Sequence, residues 1–76
     1  MSKLVLLNAR EFEKILNRLG FVKLRMKGSH AIYRHSDGRT VSVPFHSSKD
    51  LSRSLLRDLL SEINVSIDEY NKLINK

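Results

Sequence analysis

The spacing of hydrophobic residues changes twice along this 76-residue chain. Hydrophobic positions recur every three or four residues over 9–19, every second residue over 21–43, and every three or four again from residue 51 onward. The first and last patterns are typical of amphipathic helices, and the middle one is typical of half-buried strands. The pattern therefore predicts an α+β fold in a single domain, residues 1–76, because one hydrophobic core is all that a chain of this length can build.

Local signals mark the ends of the predicted helices. Asn8 and Glu11 have the spacing of a capping box, and Gly20 follows the last hydrophobic position of the first helix. Ser66 and Glu69 repeat the capping-box spacing and predict a short last helix. The positions predicted to face inward are Phe12, Ile15, Leu16, Leu19, Leu51, Leu55, Leu56, Leu59, Leu60, Ile63, Ile67, Tyr70, Leu73 and Ile74.

Two glycine-containing turns divide the alternating region into three predicted strands. Gly28-Ser29 separates residues 22–27 from about residues 30–35, and Asp37-Gly38 separates these from residues 39–43. Asp-Gly is among the strongest short hairpin signals. The predicted order is α-β-β-β-α(-α), with a three-stranded antiparallel sheet and the helices packed on one of its faces.

The turn lengths predict which side chains share a face. A two-residue turn at 37–38 places Ile32 opposite Val43, and opposite residues lie on the same face. For Val22, Leu24 and Met26 to face the same core, the turn between the first two strands must have three residues, 27–29. This pairing places His30 at the helix-facing rim of the sheet. The predicted core positions are Val22, Leu24, Met26, Ile32, Val41 and Val43. The predicted open face carries Lys23, Arg25, Lys27, Tyr33, His35, Thr40 and Ser42.

Charge narrows the class of partner. The chain has 14 Lys and Arg residues against 8 Asp and Glu residues, and the excess lies before residue 58. A basic body favours a polyanionic partner, nucleic acid above all. The absence of cysteine excludes disulfides and thiol nucleophiles. No apolar run is long enough for a membrane span or a signal peptide, so we expect a cytoplasmic protein with no membrane partner.

The sharpest candidate for chemistry is the run Gly28-Ser29-His30. A histidine held by a tight turn can present its ring to solvent, and imidazole ordinarily gains or loses a proton near neutral pH. Arg25, Lys27 and Arg34 could bind phosphate and stabilise negative charge at phosphorus. RNA carries its own nucleophile, the 2′-hydroxyl, so these groups suffice in principle to cleave it without a metal. The alternative is a turn histidine that only bonds the backbone.

The other two histidines are weaker candidates. His35 is expected to be solvated at a hairpin end, and His46 lies on a loop predicted to pass beside His30, where it could be a second proton carrier or a phosphate ligand. No two histidines have the i, i+4 spacing of a helical metal site, so we expect neither a metal nor another cofactor. Nothing resembles the nucleophile elbow of a serine hydrolase.

The stripe of Lys23, Arg25 and Lys27, with Tyr33 as a stacking ring, favours contact with nucleic acid over a merely solvated edge strand. The candidate RNA-binding residues are Lys23, Arg25, Lys27, Ser29, Tyr33 and Arg34.

Several short motifs follow one another in a fixed order. They are Arg25-Met26-Lys27-Gly28-Ser29-His30, Tyr33-Arg34-His35, Asp37-Gly38-Arg39, Val43-Pro44-Phe45-His46 and then the leucine-rich helix. From about Phe12 to Tyr70 this series resembles the HicA family of toxins, small messenger-RNA endoribonucleases of type II toxin–antitoxin systems. Arg53 departs from the pattern, since the family commonly has a glycine there, and the run Lys3–Leu7 lies outside it; that run is interpreted as an added edge strand or a partner-binding arm.

The resemblance implies a double-stranded-RNA-binding-domain-like fold, His30 as the catalytic residue, mRNA as the substrate and a cognate HicB-like antitoxin that covers His30. Charge around that position, at Lys27, Arg34, Lys49 and Arg53, would favour an acidic partner. Two alternatives stay open on the sequence alone: a non-catalytic RNA-binding module of the same fold, and a protein-interaction adaptor.

Overall fold

The computed structural model of the chain describes residues 3–45 and 48–74. Its elements are α1 (Ala9–Leu19), β1 (Val22–Lys27), β2 (His30–Arg34), β3 (Thr40–Pro44), α2 (Arg53–Glu62) and α3 (Ile67–Ile74). The strands form one antiparallel sheet in the order β1-β2-β3. The predicted architecture is therefore confirmed. None of the described helices is long and apolar enough to cross a membrane.

The predicted helix ends are also confirmed. The Asn8 side chain accepts a hydrogen bond from the Glu11 N–H, and the Glu11 carboxylate accepts one from the Asn8 N–H. Gly20 ends α1 at a φ of 99°, in the left-handed region that glycine occupies readily. Ser66 and Glu69 make the same reciprocal pair of bonds at the start of α3.

The core lies between the helices and one face of the sheet. Ala31, Tyr33, Val41 and Val43 are buried and belong to β2 and β3, whereas every residue of β1 is exposed. The helices and the segments around them contribute the remaining buried residues, among them Phe12, Leu16, Phe21, Leu56, Leu59, Ile63 and Tyr70. Burial is thus concentrated over two of the three strands, and β1 lies at an uncovered margin.

The turn between β2 and β3 has three residues, 36–38, rather than the predicted two. The Gly38 N–H donates to the His35 carbonyl oxygen at 2.9 Å, and the His35 N–H donates to the Arg39 carbonyl oxygen at 2.8 Å. Gly38 has a φ of 101°. A three-residue hairpin turn that ends in a left-handed glycine gives this pattern.

The longer turn shifts the register by one residue and reverses the facing of β2. Ile32 pairs with Ser42, and Tyr33 pairs with Val41 in the core. Since side chains alternate between faces, a shift of one residue moves each β2 side chain to the other side. The predicted core position of Ile32 and the predicted open-face position of Tyr33 are therefore wrong. His30, predicted at the helix-facing rim, is exposed on the open side.

The predicted core positions in β1 are also wrong. The first turn has two residues, Gly28 and Ser29, so Met26 pairs with Ala31, and a bulge lies between Lys23 and Arg25. The side chains of Val22, Leu24 and Met26 remain exposed. A two-residue alternation is compatible with either facing, and the bulge breaks the alternation within the strand.

The Lys3–Leu7 run joins no strand of the sheet, so the prediction of an added edge strand is wrong. Leu4 is buried, and the carbonyl oxygen of Val5 accepts a hydrogen bond from the Tyr70 hydroxyl at 2.5 Å. The Arg53 guanidinium donates to the Leu4 carbonyl oxygen at 3.3 Å. Arg53 therefore helps to hold this segment against α2.

Tyr33 and Lys23 meet a carboxylate of α1 on the helix-facing side of the sheet. The Tyr33 hydroxyl donates to Glu13 at 2.5 Å, and the Lys23 ammonium lies 2.9 Å from the same oxygen. The hydrogen bond from Tyr33 is the larger cause, and the contact with Lys23 the smaller one, that lowers the pKa of Glu13 below its ordinary value. Burial, and then the bond to Glu13, raise the pKa of Tyr33, which therefore stays protonated. This contact links α1 to β1 and β2.

We expect Gly38→Ala to destabilise the protein by about 1–2 kcal/mol, because an alanine there must adopt a left-handed conformation. Apart from the two neighbouring residues, no described residue has a heavy atom within 4 Å of the position that a Cβ would take here, so the cost comes from the backbone conformation. Gly38→Asn should recover part of the loss, since asparagine tolerates positive φ. Urea unfolding measures both, and an alanine variant as stable as the wild type would contradict the turn.

A second prediction concerns the Glu13 contact. Because the pKa of Glu13 is lower in the folded protein, the stabilisation is present above its ordinary value of 4.5 and is lost as pH falls through the folded value. Tyr33→Phe should cost about 1.5–3 kcal/mol near neutral pH, where the acceptor is charged. That cost should shrink in acid.

Tyr70→Phe is the matched control, because its hydroxyl donates to a backbone carbonyl. Burial raises the pKa of Tyr70 to about 12, so its proton is retained across the range tested. Its cost, about 0.5–1.5 kcal/mol, should not depend on pH. Urea unfolding near neutral pH and in acid separates the two variants. Equal pH dependence of both would count against the charged contact.

Candidate functional site

His30 stands at one corner of the sheet, where β2 begins. Gly28 takes the first position of the preceding turn with a φ of 63°, as a type II′ hairpin requires. The carbonyl oxygen of the half-buried Ser29 accepts a hydrogen bond from the Phe45 N–H at 2.7 Å. The turn is thereby tied to the chain that leaves β3. His30 itself is exposed, so a ring on a fixed backbone faces solvent.

The neighbours of His30 across the sheet are Lys27 on β1 and Pro44 on β3. Residues directly opposite in an antiparallel pair have Cα atoms about 5 Å apart. Arg25 stands in the next row of the same face, opposite Ile32. The register thus brings a histidine, a lysine and an arginine into adjacent positions.

We call this side of the sheet the open face. Arg34 also belongs to it and is exposed, opposite Thr40. None of the strand residues on the open face is acidic. They are Val22, Arg25, Lys27, His30, Ile32, Arg34, Thr40, Ser42 and Pro44. A surface of one charge sign with no acid among its strand residues attracts polyanions.

Two candidate RNA-binding residues predicted for this face, Tyr33 and Lys23, lie on the other one. Tyr33 is fully buried and bonded to Glu13, so its ring cannot stack on a base from the open face. Lys23 pairs with Glu13 and lies 5.8 Å from the centre of the Phe45 ring. Glu13 was not predicted as a partner of these two residues. The sequence signal for Glu13 is its position directly beside the apolar stripe of α1. Solvated carboxylates often occupy such positions, so this signal is not specific.

His35 is not solvated as predicted, but packs against the end of α1. Its Nε2 lies 3.1 Å from the Leu19 carbonyl oxygen, and its ring meets the edge of Phe21 at 5.1 Å between centroids. A carbonyl can only accept, so Nε2 carries the proton and Nδ1 accepts from the Asp37 N–H at 3.1 Å. His35 thus holds the hairpin to α1. Among the described residues, no three His, Asp or Glu side chains gather as metal ligands would.

A cleft of about 240 Å³ opens beside the end of β3. It lies between the starts of α1 and α2 and is lined by Ala9, Pro44, Lys49, Asp50, Leu51, Ser52 and Leu55. Since Pro44 is the cross-strand partner of His30, the cleft adjoins the candidate site. His46, the predicted second proton carrier, lies outside the described residues.

Comparison with known proteins gives one finding that covers this site. A family model described as the HicA toxin of bacterial toxin–antitoxin matches residues 9–65. The matched segment runs from the first residue of α1 past the end of α2, and so contains the whole sheet and His30. Comparison with curated proteins finds no match.

Proposed function

The chain belongs to the HicA toxin family of toxin–antitoxin systems, and from this premise we propose that it is an endoribonuclease that cleaves messenger RNA and is inhibited by a HicB-like antitoxin. In this proposal His30 is the general acid or base, and Arg25, Lys27 and Arg34 bind the phosphates of the substrate. One observation carries it: the register of β2 gathers these four residues on the open face.

The chemistry needs little from the protein. The 2′-hydroxyl oxygen attacks the adjacent phosphorus, the bond from phosphorus to the 5′-oxygen breaks, and a 2′,3′-cyclic phosphate remains. One proton leaves the 2′-hydroxyl and one must reach the departing 5′-oxygen. An exposed imidazole such as His30 can take the first or give the second, with water exchanging the other.

The cations near His30 would stabilise the negative charge that develops during cleavage. Negative charge grows on the phosphoryl oxygens as phosphorus becomes five-coordinate, and fixed cations nearby stabilise it. Lys27 is directly opposite His30, and Arg25 is one row further along. Arg34 and Arg25 extend the positive surface along the sheet, where flanking phosphates of a single strand would bind. The two-residue turn at Gly28-Ser29 fixes the position of His30 relative to them.

The antitoxin would act at the same surface. The open face is shallow, and no described element covers it, so a partner protein can reach His30 and the cations together. An acidic surface would be steered toward it and would encounter it faster. Lys49, at the neighbouring cleft, and Arg53, at the start of α2, extend the positive charge beyond the sheet.

We expect His30→Ala to relieve the growth arrest that expression of the wild-type chain causes. Loss of one acid–base group typically lowers the rate by about 10²- to 10⁴-fold. The purified wild-type chain should fragment RNA in the presence of EDTA, and the variant should bind RNA without fragmenting it. Circular dichroism checks that the variant is folded. Equal toxicity of the two chains would overturn the assignment, and RNA binding without cleavage by the wild type would favour a non-catalytic module.

A fourth prediction separates the two kinds of cation in β1. In a His30→Ala background, RNA affinity should fall with salt, with a slope of about −0.7 per phosphate contact. Arg25→Gln with Lys27→Gln should flatten the slope by about 1.4, since two contacts are lost. Lys23→Gln is the matched control and should change it little, because Lys23 pairs with Glu13 on the opposite face. A larger effect from Lys23 than from the pair would contradict the register.

A further inference from the structure

The strand β1 exposes large apolar side chains, whereas β2 and β3 expose none. Val22, Leu24 and Met26 are 63%, 53% and 49% exposed, and Lys23, Arg25 and Lys27 alternate with them. A half-buried strand normally turns its apolar residues toward the core. Here none of the three is covered, although they lie together in a strand of six residues.

The other edge strand of the sheet provides the contrast. β3 also has only one strand beside it, yet its Val41 and Val43 are buried, and the residues it exposes between them are Thr40 and Ser42. Apolar exposure is therefore a property of β1 and not of sheet edges in this protein generally. Val22 lies on the open face, Met26 on the helix-facing side, and Leu24 at the bulge between them, so this apolar surface follows the outer edge of β1 and not one face of the sheet. Exposed apolar residues that lie close together are typical of an interaction site.

We propose that the outer edge of β1 binds a β-strand of the antitoxin, in which acidic residues alternate with apolar ones. The inference rests on the proposed function, since it takes the antitoxin as the occupant. β1 has β2 on one side only, so its other side offers backbone N–H and C=O groups to a further strand. Cross-strand pairs would then match apolar with apolar residues and acidic with basic ones.

Charge decides between this occupant and a second copy of the chain. Pairing of β1 with itself would bring Arg25 and Lys27 of two copies onto adjacent strands, and like charges on paired strands destabilise the pair. An acidic strand does not meet this objection. RNA would engage the cations but leaves the three aliphatic side chains without a role.

Such docking would inhibit in a second way, beyond covering His30. Arg25 and Lys27 belong both to β1 and to the open face. A strand added to the edge lies about 5 Å from β1. Its acidic side chains would neutralise the two cations that the proposed function assigns to RNA phosphates. Antitoxin and RNA therefore compete for the same charges.

The test is a chain that carries Val22→Thr, Leu24→Thr and Met26→Thr together. Threonine keeps a high strand preference while it removes apolar surface. Against the cognate HicB-like antitoxin, calorimetry should show a dissociation constant at least about tenfold higher than for the wild type. Val5→Thr, at an exposed apolar residue outside the sheet, is the matched control and should bind normally. Without antitoxin, the triple variant should remain toxic.

Amide hydrogen exchange on the wild-type complex gives an independent measurement should the triple variant fold poorly. Exchange should slow in β1 and stay unchanged in β3 when the antitoxin binds. Equal binding of wild-type and triple-variant chains, or no protection in β1, overturns the edge site while leaving the nuclease proposal intact. If the wild-type chain does not bind the antitoxin at all, the partner in the proposed function fails too. A wild-type dimer that the triple variant abolishes would show that the occupant is a second copy.

Discussion

The left-handed conformation of Gly38 adds a third residue to the turn between β2 and β3, and the facing of β2 relative to β3 depends on it. The Asp37 carboxylate accepts hydrogen bonds from the Arg39 N–H and guanidinium, which holds the turn in this form. With a turn one residue shorter, Tyr33 would leave the core and His30 would face the helices. The candidate site at one end of β2 thus depends on a glycine beyond its other end.

The pairing of β1 with β2, with its bulge, separates two kinds of basic residue. Lys23 lies on the helix-facing side, where Glu13 neutralises it and Tyr33 shares the carboxylate. Arg25 and Lys27 lie beyond the bulge on the open face, whose strand residues include no acid. One strand therefore supplies a structural ion pair at its start and a positive surface at its end. This division also explains why charge counted along the sequence does not by itself identify the RNA-binding residues that we propose.

Helix ends, strand order and fold class could be predicted from the sequence because each has a local signal. Asn8 with Glu11 and Ser66 with Glu69 form capping boxes at the predicted positions. The face of the sheet on which each β2 side chain lies could not be predicted, because Asp-Gly fits both a two-residue turn and the end of a three-residue turn. Because the predicted turn was one residue too short, Tyr33 and His30 were both predicted on the wrong face of the sheet. The family resemblance depended on the order of motifs, which a register error leaves intact, and the family match confirms it.

The arrangement of the site therefore rests on a register that can be measured without substrate or partner. In a two-dimensional nuclear Overhauser spectrum of the free protein in solution, the α-protons of Ile32 and Ser42 should show a strong cross-strand contact, since these residues are paired. That result would place His30 on the same face as Ser42, which is the open face. A strong contact between the α-protons of Tyr33 and Ser42 in its place would return Tyr33 to the open side and contradict the account.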